Sequence, residues 1–461
     1  MFAETKRLKV ATVPSLRSLC LGVLLPNILA KRDRYALMNL GPDMCQQVFV
    51  LLRERGLLSG ETMGLFMHSH ISHVDLGGYG NTTQPFLDTV ANLAGTLRSL
   101  SLRDCSKLVD FAPLAACRQL EVLDLSGTKL SNRGLAALRP LRALVCLRLA
   151  GTRLSELPLW LPEGLEELDV QHTDLPDEGL VPAVRRLRAL RLLNVGGTGL
   201  RVARFAGLKR LGYLSCAGCA LLQPESLYWI AGCSSLVSLD LLRTSLVPGS
   251  ALQQLRHLTL LEQLALPPSS NFSGPQDFQH LAPLCRLVSL NLARFPVTEL
   301  DWCRGMSRLA FLDLSSCPVV NLRPLSDLLS LAQLSLQDCQ AVDDASLAAL
   351  ERMPRLAALS LAHTRVTDAC CRVLAQLPAL TNLNLCGTAV GEDGLRCLAP
   401  LTRLASLDVR RTRVEWADLT MLQGLPLLRV RHDPKPAPAP GEEPEGDNGG
   451  QGFVLGGGGE E

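Results

Sequence analysis

The chain is 461 residues long, 47% hydrophobic yet only 4% aromatic, and close to neutral at a formal charge of +2. A Leu-heavy, aromatic-poor composition is typical of cores built from repeated small packing units. The near-neutral balance gives no case for nucleic acid or an anionic membrane as a partner, and no run of eighteen apolar residues predicts a membrane span.

The first seventy residues do not repeat. They open on SLRSLCLGVLLPNILAKRD (Ser15 to Asp33), in which the spacing puts Leu16, Cys20 and Leu24 on one face of a helix. This run reads as an export signal, a capping helix, or a helix that docks a partner. Against export, the apolar stretch starts late, is broken by Pro26 and ends in Lys31 and Arg32 rather than a small-residue cleavage site. The next segment, LGPDMCQQVFVLL (Leu40 to Leu52), predicts a helix that opens at Pro42, since proline is pre-organised for a first helical position. HSHISH brings His68, His70 and His73 close together but has no second ligand cluster, so structural or solvent-facing histidines are expected. GGYG (Gly77 to Gly80) lacks the rest of a phosphate loop and reads as turn glycines.

From Ile71 onward a pattern LxxLxLxxTxL or LxxLxLxxCxxL keeps returning, with a weak first copy at Ile71 and fourteen clear starts from Leu97 to Leu404. The mean period of about 24 residues lies within the range of leucine-rich repeats. In LxxLxL the last two leucines alternate as on a β-strand, so both point inward and the residues between them face out. Segments such as SNRGLAALRPLRAL (Ser131 to Leu144) then space Leu135, Leu138 and Leu141 as on a helix. The expected fold class is therefore an α/β leucine-rich repeat solenoid, a horseshoe with a parallel sheet on its concave face and helices outside. Fifteen strands would make a strip roughly 70 Å long. Its outward positions include Tyr213, Gln263, Phe311 and Gln333, with Arg243, Arg294, Arg410 and Arg411 just beyond strands. Aromatic and arginine side chains dominate interface energetics, so a protein ligand is expected on this face, between Tyr213 and Phe311.

Three residues past the second inward position, twelve of the fifteen repeats have Thr (Thr128, Thr152, Thr173, Thr198, Thr244, Thr364, Thr388, Thr412) or Cys (Cys105, Cys219, Cys317, Cys339). That side chain must satisfy backbone groups of the tight turn leaving the strand. CAGC (Cys216 to Cys219) has the spacing of a zinc half-site, yet Cys216 falls on an inward leucine position and Cys219 on the Thr/Cys position, which makes both core residues. Most of the sixteen cysteines occupy repeat interiors or helices, as free thiols packed as small hydrophobes do. Two sequons, at Asn81 and Asn271, read as chance matches. No catalytic set, metal site or cofactor motif stands out, and no enzyme is expected. Pro267 to Phe278 departs from the repeat as a protruding loop or a lengthened coil. Past His432 the chain turns to Pro, Gly and acid, too poor in apolar residues to bury a core, which predicts a disordered tail. The organisation expected is a helical cap over 1–70, repeats over 71–431 and the tail over 432–461.

Cys at the turn position resembles the intracellular leucine-rich repeats of F-box and related ubiquitin-ligase receptors. Leu16, Cys20 and Leu24 resemble the elongin-binding box of cullin-RING ligase receptors, and the order of box helix, Pro42-led helix and repeats is similar to the zyg-eleven and zer-one type of receptor. The resemblance implies a substrate-recognition subunit with a cytoplasmic or nuclear address, elongin C or another cullin adaptor at Leu16, Cys20, Leu24 and Pro42, and a protein ligand on the concave residues. In that family a hydrophobe precedes the proline of the cullin-selecting box, where this chain has Gly41. An F-box fits less well, because its later tryptophan is missing before Trp160. The alternative is a repeat scaffold with no ligase role.

Overall fold

A computed structural model describes residue 37 and residues 40–245, 249–267 and 274–433. The chain forms two compact units, Met1–Leu190 and Arg191–Glu461. In the first unit five three-residue strands, β1 (His73–Asp75) to β5 (Glu167–Asp169), pair in parallel, each with the next. In the second, eleven strands from β6 (Leu192–Asn194) to β16 (Arg429–Arg431) do the same. The central residue of every strand from β1 to β15 lies three positions after an expected repeat start. The register stacks these centres, for example Leu290 on Leu312 on Leu334, all buried. Apolar ladders of this kind leave each coil unable to bury its own face alone, so stability comes from neighbour on neighbour.

One strand more is present than the pattern predicts. β16 escapes the template because Val430 stands where the fourteen clear repeats have a central leucine and His432 takes the second inward position, although Leu427 keeps the three-residue step. The shortest coils lack a helix on their backs. Length alone does not decide, since the 25-residue coil from Leu334 to Leu359 also carries only a 3₁₀ segment, Ser346–Leu350. Coils of 21 residues between strand centres, Leu147 to Leu168 and Leu193 to Leu214, carry no helix. The 22-residue coils from Leu290 to Leu312 and on to Leu334 fit only the 3₁₀ turns Asp301–Cys303 and Arg323–Asp327, whereas the 24-residue coil from Leu123 to Leu147 holds an α-helix at Asn132–Ala137. That helix is shorter than the spacing of Leu135, Leu138 and Leu141 predicts, since Leu138 already ends it. At the irregular stretch, Pro275–Leu281 forms a 3₁₀ segment that buries Phe278. Residues 268–273 lie outside the described part of the chain.

Before β1 come helix α1 (Pro42–Glu54), with Pro42 in its first turn as expected, and the short α2 (Gly60–Gly64). α2 starts at a capping box in which the Ser59 hydroxyl accepts from the Thr62 N–H and the Thr62 hydroxyl oxygen accepts from the Ser59 N–H. α1 buries Cys45, Val48, Phe49 and Leu52, and Phe49 meets Phe66 edge to face at 5.9 Å. Its polar side is also used. Gln46 Nε2 donates to the His73 carbonyl at 2.8 Å, and Arg53 donates to the Asp75 carboxylate and the Gly77 carbonyl, each at 2.9 Å. The helix thus covers β1, whose free edge would otherwise offer a template for pairing. Among the described residues no helix is long and apolar enough to cross a membrane.

Candidate ligand-binding face

Parallel pairing in strict register turns the outward strand positions of the second unit into two rows. The first begins Leu192, Tyr213, Ser238, Gln263, Ser289, Phe311, Gln333 and continues through Ala358, Asn382 and Ser406 to Arg429. Tyr213, Gln263, Phe311 and Gln333 therefore share one row, alternate strands apart except for the adjacent pair Phe311 and Gln333. Phe311 and Tyr213 are half-buried, Gln263 and Gln333 exposed.

The second row is rich in Asp and Asn, for a local reason. Each such side chain accepts the backbone N–H two residues on: Asp240 from Leu242, Asn291 from Ala293, Asp313 from Ser315, Asn384 from Cys386 and Asp408 from Arg410, at 2.9–3.2 Å. The same turn occurs in the first unit at Asp124 and Asp169. Burial pushes the Asp169 carboxyl above its ordinary value. These carboxylates build turns.

Arg243 and Arg294 sit neither on a strand nor in a loose loop. Both occupy the corner just past the strand, in left-handed backbone conformation with φ of 55° and 66°. Six described coils put glycine at this corner, at Gly78, Gly127, Gly151, Gly197, Gly218 and Gly387. The corner N–H donates to the next coil, as from Arg294 to the Ser315 carbonyl at 2.7 Å. An arginine tolerates positive φ poorly, so the corner arginines Arg243, Arg294 and Arg411 hold exposed guanidiniums at the rim of the strand face against a backbone cost.

The Thr/Cys position inside the corner works in two ways. Every threonine donates to the carbonyl three residues back in its own coil, as Thr128 does to Leu125 and Thr364 to Leu361 at 2.6 Å. The cysteines, with a longer C–S bond, donate instead to the preceding coil: Cys105 to Leu76, Cys219 to Val195, Cys317 to Leu292 and Cys339 to Leu314, at 3.0–3.3 Å. The expectation of turn satisfaction thus holds for Thr, while the thiol ties two coils together. Twelve of the fifteen described cysteines are buried, all fifteen as free thiols. Burial raises the thiols of Cys117, Cys233 and Cys339 to about 11, and those of Cys303 and Cys317 to about 12. Cys216 is fully enclosed and Cys219 bonds Val195, so CAGC is core. His68, His70 and His73 are exposed, the last beside the Ser72 hydroxyl at 2.8 Å. Among the described residues no group of His, Cys, Asp or Glu is placed to hold a metal.

From β11 (Phe311–Asp313) to β16 the strand face dips into a shallow hollow of about 300 Å³. It is lined by Phe311 and Gln333, then by small polar residues including Ser335, Ser360, Asn382, Asn384 and Ser406, and ends at Asp408 and Arg431. The sequence reading misses this stretch, since Ser, Ala and Asn carry no aromatic or charged signal. Ser360 Oγ is buried there without a hydrogen-bond partner among the described residues. Of the expected site residues the hollow unites Phe311 and Gln333, while Tyr213, Arg243, Gln263 and Arg294 lie on coils before it. Pro42 is exposed at the start of α1. Leu16, Cys20 and Leu24 lie outside the described residues.

The repeat geometry defines the class: this is a leucine-rich repeat fold. Comparison with known proteins agrees, as the leucine-rich repeat family matches residues 116–138. Podocan-like protein 1 of Mus musculus is 32% identical over 281 residues, 56% of this chain and 48% of that protein, so the chain spans about half the length of this relative. Among solved structures, an internalin (inlF) of Listeria monocytogenes is similar with a TM-score of 0.56 at 20% identity, covering 69% of this chain and 88% of that one. A leucine-rich repeat protein of Leptospira interrogans reaches 0.57 at 18% identity, covering 79% and 97%. At these identities the likeness is one of fold.

Proposed function

We propose that the chain is a protein-binding leucine-rich repeat module whose ligand lies on the strand face of residues 191–461, and that it serves as a substrate-recognition subunit of a cullin-RING ubiquitin ligase. The observation that carries the binding reading is the hollow from Phe311 to Arg431. It joins an aromatic anchor, a charged end and a floor of amides and hydroxyls, including the unpaired Ser360 Oγ, which suits an extended polypeptide that brings its own donors and acceptors. No chemistry is assigned to the face, because its carboxylates are committed to turns. Buried free thiols support a reducing cytoplasmic or nuclear address.

The ligase reading rests on the box residues Leu16, Cys20 and Leu24 and on the helix led by Pro42. It is tested by recovering elongin C and Skp-type adaptors with the full chain and with Leu16→Asp. Capture by the wild-type chain and its loss in Leu16→Asp, at unchanged melting temperature, support it. Failure of the wild-type chain to capture any adaptor sinks it. The scaffold alternative is favoured by one observation: α1 already spends Gln46 and Arg53 on β1, as a plain cap would. The face itself is tested by the triple alanine variant of Tyr213, Arg243 and Phe311 beside that of Gln333, Asn382 and Arg431. A bound protein indifferent to both sets lies elsewhere.

A further inference from the structure

The last strand carries two arginines on its outward positions. Arg429 extends the first row beside Ser406, and Arg431 extends the second beside Asp408 and closes the hollow. Both are exposed, and neither has an ion-pair partner among the described residues. The nearby acids are already engaged. Asp408 is held by Arg410, Nη2 to Oδ2 at 2.7 Å and Nε to Oδ1 at 3.0 Å, while Asp433 Oδ2 accepts the Arg411 N–H at 2.7 Å. Arg411 and Arg413 add two further exposed guanidiniums on the neighbouring coil.

The chain leaves β16 at this same place, and its remaining length is acidic. Residues 434–461 hold Glu442, Glu443, Glu445, Asp447, Glu460 and Glu461 against Lys435 alone. The stretch EEPEGD (Glu442 to Asp447) is joined to Asp433 by PKPAPAPG, a link that even fully extended in polyproline form reaches only about 28 Å. Six strands at about 4.8 Å put β11 and β16 some 24 Å apart, so the acidic stretch is confined to the neighbourhood of this face. Tethering at that range gives an effective concentration on the order of millimolar. Exposed ion pairs are weak singly, but tethered and gathered they need no strong individual contact.

We propose that Glu442–Asp447 folds back onto the arginine end of the strand face, held by Arg429 and Arg431, so that the chain carries an intramolecular occupant for the closed end of its own hollow. An external ligand would then have to displace it, although the contact itself does not depend on any external ligand.

The test uses the full chain with R429K/R431K, which supplies amines for a zero-length carbodiimide. The expected result, at low salt and in the monomer, is an amide link between position 429 or 431 and the peptide containing residues 442–447. The link should disappear in 0.5 M NaCl, about the point where screening falls below 5 Å, and when E442Q/E443Q/E445Q/D447N is added. A labelled peptide of residues 440–449 should also bind the E442Q/E443Q/E445Q/D447N chain at least about threefold more tightly than the wild-type chain, as it meets no internal competitor there. Links to Asp408 or Asp433 only, links only between copies, or equal peptide binding to both chains overturns the proposal.

Discussion

The first and last coils face the same problem, an unpaired edge of parallel strands, and solve it with different chemistry. At β1 the cover is apolar and helical: Val48, Phe49 and Leu52 of α1 are buried, Phe49 against Phe66, and Gln46 and Arg53 bond the strand and its turn. At β16 the described residues supply polar groups. Asp433 replaces the carbonyl that a further coil would have offered Arg411. The His432 ring lies 2.9 Å from the Val414 carbonyl and packs on Trp416 at 5.1 Å between centroids, while Leu427 is 67% exposed. An end covered by apolar side chains is stabilised by burial and fails when burial is spoiled. An end finished by charge tolerates surface change and answers to salt.

The largest expected effect therefore lies in the cap. Val48→Asp buries a carboxylate with no partner among Cys45, Phe49 and Leu52, and should cost about 3 kcal/mol or more. Because each coil leans on its neighbours, the loss should appear as faster amide exchange in residues 73–101, with exchange in residues 406–431 unchanged. Uniform acceleration along the chain would erase the distinction between the ends.

Alkaline pH should separate the ends next. An unfolded thiol ionises near 9, whereas the buried thiols of Cys303 and Cys317 hold their protons to about 12. Above pH 9 the unfolded chain therefore binds fewer protons than the folded one, and stability falls as pH rises. No cost arises below that, and the decline continues towards pH 12. Cys45 in the cap is also raised by burial, and its thiol donates to the Leu37 carbonyl at 3.4 Å. The last cysteine is Cys397, so the coils beyond it have no thiol to ionise. Urea midpoints at pH 8, 9.5 and 10.5 should fall in that order, with exchange rising at the cap and mid-array before residues 406–431. A flat profile would show the thiols to be less enclosed than the structure has them.

How far the fold can be read from residues alone depends on the same physics. The strands were legible, because period-two leucines are a burial requirement and all fifteen expected starts precede a strand by a fixed step. β16 was not, since valine at its centre and His432 in place of the second inward leucine hide it from a leucine template although Val430 pairs with Leu407. The corner was half-legible: GT and GC pairs mark it where glycine takes positive φ, but Arg243, Arg294 and Arg411 occupy it without that signal. The hollow was silent, because small polar residues announce neither core nor interface. The division of labour between Thr and Cys could not be foreseen either, as it depends on the reach of a C–S bond across a gap between coils.

That division yields a smaller test. Thr128→Val removes a bond made within one coil, and should cost about 1 kcal/mol. Cys317→Thr should cost less than that, with the new hydroxyl turning to the Leu314 carbonyl of its own coil and releasing Leu292 in the coil before. The signature lies in coupling rather than in stability. Paired with a destabilising change in the coil of Leu290, Cys317→Thr should show a smaller interaction energy than the wild-type thiol does in a double-mutant cycle. Equal coupling would mean that the thiol contact carries nothing between coils.

The smallest effect is expected at the open end, and its smallness is the point. Leu427 exposes two-thirds of its surface, so Leu427→Asp removes little burial and places its charge in water. The change should stay within about 0.5 kcal/mol by urea midpoint, against several at Val48. The new carboxylate would also stand two residues from Arg429, where it offers that guanidinium a local partner. Any residual effect should then be slightly stabilising at low salt and vanish at high salt. A loss of more than about 1 kcal/mol would mean that Leu427 is covered in solution and that the last coil, like the first, is closed by apolar contact.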